Sequence, residues 1–311
     1  MKYGEMLDAA DLSDKARELE ESGQYRVLRR LPDLPGQILS NVETRMGLYI
    51  DCEATGTDTA VDEVTELAAI PFRFTLDGRH VEAMKPLHWY NEPSRPITEE
   101  ITKLTGISLD TVRGHRIDIA HLDAVLDVTD IVIAHSAQYD RQMLERITPK
   151  AKAKCWGCSM TQVPWGTATR KLEWILSTMG YFYDAHGAVE DTRAGLFALT
   201  QPLGMPRDAT EREIALAGGA EFMTGLQHVL EAGRKTTYHV WATRAPFEVK
   251  DLLKARKYNW DADKKTWHKE EVQDYQGEQE WLAKNIYRSL TGTTPARFDK
   301  VTAFDRFSKR A

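Results

Sequence analysis

The chain has 311 residues, 42% of them hydrophobic, enough to bury one substantial core and a second, smaller one. Its 47 acidic residues outnumber 41 basic ones, giving a net charge of −6, so a polycationic nucleic-acid coat is excluded and any such contact must be local and cation-assisted. Three cysteines cannot build a disulfide framework, no apolar run approaches membrane-span length, and the start MKYGEMLDAADLSDK lacks a signal-peptide pattern; the expectation is a cytoplasmic protein with no membrane partner.

Residues 1–45 read as an N-terminal helical extension, in which DLSDKARELEESG is helix-prone and YRVLRRLPDLPGQ breaks it with two prolines. A domain over 46–202 opens with the strand GLYI, which runs into Asp51-Cys52-Glu53. TELAAIPFRFTL is the second strand, Asp77-Gly78 a hairpin turn, and RHVEAMKPLHW the return. PITEEITKLTGISLDTVRG reads as a helix, a glycine stop and a second helix starting at Ser108. HLDAVLDV is helical and DIVIAHS is a short buried strand. AQYDRQMLERI is a helix stopped at Pro149, KLEWILSTMG one ended by Gly180, and VEDTRAGLFALT the last of the domain. Antiparallel strands followed by strands alternating with helices give an α/β layout with a mixed sheet. Residues 203–235 read as a linker with one helix around EFMTGLQHVLEAG. Residues 236–290 form a small α+β domain, and 291–311 a flexible tail.

Alternation along a strand puts Asp51 and Glu53 on one face and Leu48, Ile50 and Cys52 on the other. Two neighbouring carboxylates on a half-buried face repel, and a divalent cation removes the conflict; a frayed strand end with solvated acids is the bland alternative. Asp140 follows a buried strand, just inside a helix. Asp191 lies five residues after His186, an offset of about 140° on a helix, so the two cannot share a helical face and His186 belongs to the preceding loop or first turn. CWGC at 155–158 follows a basic segment rather than a strand and lacks a second ligand pair, which favours structural thiols over a redox motif or a zinc half-site.

Together, DCEATG, AHSAQYDRQML and HGAVED resemble the three motifs of the DEDDh 3′–5′ exonucleases, the DnaQ-like family of the DNA polymerase III epsilon proofreading subunit. The order and spacing fit over roughly residues 46–200, and ITKLTGIS resembles the segment before the second motif. YRVLRRL and APFEVKDLLKARKYNWDADKKTWHKE resemble a bacterial group carrying an extra C-terminal unit. The resemblance implies an RNase H-like domain with a mixed five-stranded sheet flanked by helices. It also implies Asp51, Glu53, Asp140 and Asp191 as catalytic acids and metal ligands, with His186 as the catalytic histidine. Ser136 stands where the second motif commonly has Asn, and Gly187 where the third often has a basic residue.

Four carboxylates balance two divalent ions, and hard oxygen donors suit Mg²⁺ or Mn²⁺, two per site, with Asp51 expected to bridge them. His186 is assigned as general base, imidazole being suited to proton exchange near neutral pH. Thr55, Gly56 and Ser136 are expected at the substrate, Gly56 letting backbone approach the terminal nucleotide. Arg141, Lys171 and Arg193 are either phosphate contacts or solvated surface cations. Trp241, Tyr258, Trp260 and Trp267, interleaved with lysines and arginines, are either a nucleic-acid grip or a small domain's core with a charged rim.

The expected function is a metal-dependent 3′–5′ exonuclease releasing nucleoside monophosphates from DNA 3′ ends, in repair or proofreading. An RNA 3′–5′ exonuclease and a subunit working through a polymerase or repair partner are the alternatives. A silent nucleic-acid-binding module is disfavoured by the five intact chemical residues.

Overall fold

The computed structural model describes residues 9–34, 42–204 and 222–309. The chain's first eight residues, Pro35 of the expected helix break and residues 205–221 of the expected linker lie outside the described residues. In chain order the elements are α1 (Ala9–Glu21), β1 (Arg29–Arg30), β2 (Thr44–Ala54), β3 (Val64–Thr75), β4 (His80–Ala83), β5 (Leu87–Tyr90), α2 (Glu99–Thr105), α3 (Leu109–Val112), α4 (Ile119–Val128), β6 (Ile131–Ala134), α5 (Ala137–Ile147), β7 (Cys155–Cys158), α6 (Ser159–Gln162), α7 (Leu172–Met179), β8 (Tyr181–Phe182) and α8 (Ala188–Thr200). They continue as α9 (Gly225–Arg234), β9 (Thr237–Ala242), α10 (Lys250–Ala255), β10 (Asn259–Asp261), β11 (Thr266–Val272), α11 (Tyr275–Asn285) and β12 (Arg297–Val301).

The main sheet runs β4-β3-β2-β6-β7, with β5 also on β3. β2 and β3 are antiparallel, whereas β2, β6 and β7 are parallel, so the sheet is mixed as expected. The return after Asp77-Gly78 is two strands rather than one: β4 pairs with Phe72–Phe74 and β5 with Glu66–Ala69. Pro86, which has no N–H to donate, lies in the break between them. Six strands therefore fill five lanes.

Alternation along β2 divides the core. Leu48, Ile50 and Cys52 pack with Leu122 and Leu126 of α4 and Met143 and Leu144 of α5. Tyr49 faces the other way, with Leu196 and Leu199 of α8 and Leu226 and Val229 of α9. Helices cover both faces of the mixed sheet, the layering expected of an α/β domain. Contact between α8 and β2 depends on Gly195, where an added Cβ would lie 2.0 Å from the Tyr49 hydroxyl.

Several segments differ from the sequence-based expectation. CWGC is a strand, β7, buried on both faces; such a strand shows no alternating pattern to read. Three residues apart on a strand, Cys155 and Cys158 face opposite sides, and all three cysteines are free. The helix expected within a linker is α9, whose Leu226 and Val229 are fully buried in the main core. The expected flexible tail contains β12, paired with β9 from Arg297 to Val301. Beyond β12, Phe307 enters the core beside α5, and the Ala303 carbonyl accepts from the Trp156 amide at 2.8 Å. The N-terminal extension lies on the main domain through β1, which pairs with β8, and Leu31, which packs with α7 and α8.

The second sheet is antiparallel in the order β10-β11-β9-β12. With α10 and α11 it encloses its own core around Val240, Leu253, Tyr258, Val272 and Leu282. No helix among the described residues is long and apolar enough to cross a membrane.

Candidate active site

β2 ends in Asp51-Cys52-Glu53, and the face that carries Tyr49 also carries Asp51 and Glu53. The helix packed on that face is α8, and its first turn contributes Asp191. One carboxylate oxygen from each of Asp51, Glu53 and Asp191 lies within 4.8 Å of the other two. Among the described residues no lysine or arginine is ion-paired with any of these three. Burial, then the charges of Asp140, Asp191, Glu53 and Glu66, push the Asp51 carboxyl well above the usual range. Glu53 is pushed up to about 7 by burial, then by Asp191, Glu66 and Asp140. Asp191 is also raised by burial, although the Tyr183 hydroxyl and the His186 amide pull it back.

Asp140 is placed differently. It belongs to α5, which packs on the opposite face, and reaches the end of β2 from that side. Its Oδ1 accepts from the Cys52 amide at 3.2 Å and from the Cys52 thiol at 3.3 Å. Asp140 is 2% exposed, and burial lifts its carboxyl to about 7 against the opposing hydrogen bonds from Cys52. The structure thus brings three of the four acids within one 4.8 Å group, with Asp140 reaching the same strand end from the other side, near enough that its charge acts on Asp51 and Glu53.

His186 lies in the loop before α8, in the left-handed region at φ 71°, uncommon for a residue with a side chain. Its amide donates to Asp191 Oδ2 at 3.1 Å, and the Tyr183 hydroxyl donates to Asp191 Oδ1 at 2.6 Å, so both oxygens of Asp191 are oriented. His186 and Asp191 line one cavity of about 430 Å³ together with Asp51, His135, Lys171 and Tyr183.

Of the expected substrate contacts, Ser136 precedes α5 and makes no side-chain cap. Thr55 is turned toward the 58–63 loop: its hydroxyl donates to Asp62 at 3.0 Å and accepts from the Glu63 amide at 3.1 Å. Gly56 is close to Asp62, whose Oδ2 would lie 2.5 Å from an added Cβ, and its carbonyl accepts from the Tyr139 hydroxyl. The missing side chain at Gly56 therefore makes room for Asp62. Of the three cations, Lys171 alone lines the cavity. Arg193 pairs with Asp33 at 2.8 Å, and Arg141 is fully buried, donating to the carbonyls of Phe304 and Arg306.

Three further residues at the site escaped the sequence reading. Glu66, opposite Glu53 in the β2–β3 ladder, accepts from the Ala188 amide at the start of α8 and is 2.6 Å from His88 Nε2. An acid inside the apolar run TELAAIPF was the available signal. Tyr183 gave none beyond its closeness to His186. His135 bonds the Ser159 hydroxyl and the Arg170 carbonyl, holding the 159–170 segment over the cavity, and burial pushes its imidazole down toward the neutral form.

In the second unit, Trp241 and Tyr258 are buried; Lys264 lies over Trp241 at 4.0 Å, and Arg256 and Lys269 pair with buried Glu278. Trp260 remains about half exposed, and Phe247 more so.

Residues 48–195, just under half of the chain, match the sequence pattern of the RNase_T family, described as exonuclease. The DNA polymerase III PolC-type proteins of Thermotoga petrophila and Thermotoga maritima are 29% and 28% identical over 119 and 111 residues. The chain spans only 8% of the length of these curated relatives. Among solved structures, Escherichia coli exonuclease I with a dA16 oligonucleotide aligns over 84% of this chain and 64% of its own, at 14% identity and a TM-score of 0.43. Exonuclease X with 5′-overhanging duplex DNA aligns over 56% of this chain and 99% of its own, at 19% identity and a TM-score of 0.38.

Proposed function

We propose, from the match of residues 48–195 to the RNase_T exonuclease pattern and the resemblance of its motifs to the DnaQ-like DEDDh group, that the chain is a metal-dependent 3′–5′ exonuclease. It removes nucleoside monophosphates from DNA 3′ ends, single-stranded or frayed. The observation that carries this reading is the gathering of Asp51, Glu53 and Asp191, from two remote segments, within 4.8 Å, with no lysine or arginine ion-paired to them among the described residues.

That donor set suits a hard divalent cation. Three carboxylates raised chiefly by burial, and for Asp51 and Glu53 also by neighbouring acids, gain most from an ion that neutralises all of them, and oxygen-only donors favour Mg²⁺ or Mn²⁺. Asp51, Glu53 and Asp191, with Asp140, are the residues that would hold two such ions. When bound, the ions supply charge neutralisation and Lewis-acid activation at the phosphodiester. The chain's own residues do the rest. Tyr183 and the His186 amide fix the orientation of Asp191. His186, tethered on the cavity wall, takes the proton of the attacking water on its imidazole. His135 keeps the 159–170 segment and Lys171 in place, and Lys171 offers an ammonium to the phosphate backbone.

The similarity to PolC-type polymerases favours DNA over RNA and supports a proofreading or repair role, with a polymerase as partner. In the second unit, Trp260 and the lysines at 257, 264 and 265 are the surface left for gripping a strand.

A ladder assay with 3′- and 5′-labelled DNA and RNA, in Mg²⁺, Mn²⁺ or chelator, tests the reading. Stepwise loss from the DNA 3′ end, abolished by chelator, is expected. Cleavage that persists in chelator, or proceeds from the 5′ end, would refute it.

A further inference from the structure

The second sheet has two unlike faces. Val240, Ala242 and Val272 point into its core, whereas the alternate residues His239, Trp241, His268 and Glu270 form a polar face on the other side. At one end of that face a cavity of about 320 Å³ opens between the second unit and the nuclease domain, with His239, Glu270, Glu271, Gln138, Thr161 and Arg306 on its walls.

Two imidazoles and a carboxylate meet there. Nε2 of His239 and Nδ1 of His268 are 3.0 Å apart, and a Glu270 oxygen lies 3.9 Å from the same Nδ1. One donor atom from each residue falls within 4.8 Å of the others. Two nitrogens bound to one ion at ~2.0–2.1 Å stand about 2.9–3.4 Å apart for angles between square and tetrahedral, so the imidazoles need little movement. Glu270 is exposed at its tip and closes the remaining gap by rotation.

The strand is irregular at this point. From Lys269↔Val240 to Val272↔Tyr238, β11 advances three residues while β9 advances two, and Glu271 adopts φ 56°. In an unbroken ladder Glu271 would follow Trp267 and Lys269 onto the core face. The bulge instead sends Val272 to the core and leaves Glu270 and Glu271 at the cavity.

We propose that His239, His268 and Glu270 form a second cation site, separate from the acidic cluster, which takes a transition ion of the zinc type. Nitrogen donors select such ions over Mg²⁺ and Mn²⁺, and three protein ligands leave a coordination position for water. The ion cross-links β9 to β11 beside the bulge, where the ladder is interrupted. The site uses none of the residues assigned to hydrolysis, so it stands or falls independently of the exonuclease reading.

The test uses the full chain, stripped with chelator, then held in excess Mg²⁺ and titrated with Co²⁺ as the probe. One equivalent of Co²⁺ with visible d–d absorption, displaced by Zn²⁺ and raising the melting temperature, is expected. His268→Ala and Glu270→Gln should each weaken Co²⁺ binding beyond the ~10–100-fold typical of losing an outer-shell partner, whereas Asp191→Asn leaves it unchanged. Glu270→Gln, at an exposed position, decides the matter should His268→Ala fail to fold. Binding that survives Glu270→Gln, that is lost in Asp191→Asn instead, or that shows the near-ultraviolet band of a thiolate such as Cys158 would overturn the proposal.

Discussion

Glu53 is raised first by burial, to which the charges of Asp191 across the gap and Glu66 opposite it on β3 add. Its ordinary value is 4.5 and its folded one about 7. At pH below 4.5 the proton is bound in folded and unfolded chains alike. Between 4.5 and 7 the unfolded chain releases it while the folded one keeps it, so this group's contribution to stability falls as pH rises. Urea midpoints measured in chelator should therefore drop more steeply across that window in the wild type than in Glu53→Gln, and Mg²⁺ should erase the difference near neutrality. Parallel curves would show that the Glu53 carboxyl is not raised in the folded chain. Asp191→Asn removes one charge but keeps an oxygen for Tyr183. Hydrolysis of a labelled strand should fall more than ~100-fold while the melting temperature in chelator does not decrease. Full-rate trimming by that variant would exclude Asp191 from the site.

On α5, neighbouring residues have unlike tasks. Asp140 reaches toward the end of β2, while Arg141, fully buried against Trp156 and paired with Glu145 at 2.7 Å, donates to the carbonyls of Phe304 and Arg306. Arg141→Ala would remove the ion-pair partner of Glu145, which keeps the Ser308 hydroxyl, and the donors to those carbonyls in the interior. A loss of about 3–5 kcal/mol in urea unfolding is expected; a change below ~1 kcal/mol would mean the contact carries no weight. Such a role is invisible in sequence, because Arg141 and Phe304 lie 163 positions apart. Helix ends were legible for the opposite reason, since their determinants are local. Ser108 caps α3 with its own side chain, and Gly180 ends α7 in the left-handed region. β7 and the divided return strand were not legible, because a strand buried on both faces and a proline break leave no alternating pattern.

The DxE strand end and the loop position of His186 could be read from side-chain periodicity, but no spacing rule shows that α5 and α8 approach β2 from opposite faces. That fact sets Asp140 apart from the other three acids. In the second unit most of the aromatic and basic residues turned inward or found partners, and Trp260 is the one tryptophan of the expected set, among the described residues, that stays exposed. Trp260→Ala should weaken binding of a 20-nucleotide strand by about 1–3 kcal/mol per lost stack in a salt-controlled titration, leaving cleavage of a tetranucleotide intact. Equal affinity in the two proteins would assign Trp260 to the surface alone.

Residues 302–308 are anchored on the helix that carries Asp140. Within the nuclease domain Arg141 holds Glu145 and the Lys152 carbonyl, and the carbonyls of Phe304 and Arg306 complete its set. The segment is thus a buttress for α5, and truncation after residue 301 is expected to lower the urea midpoint of the nuclease domain.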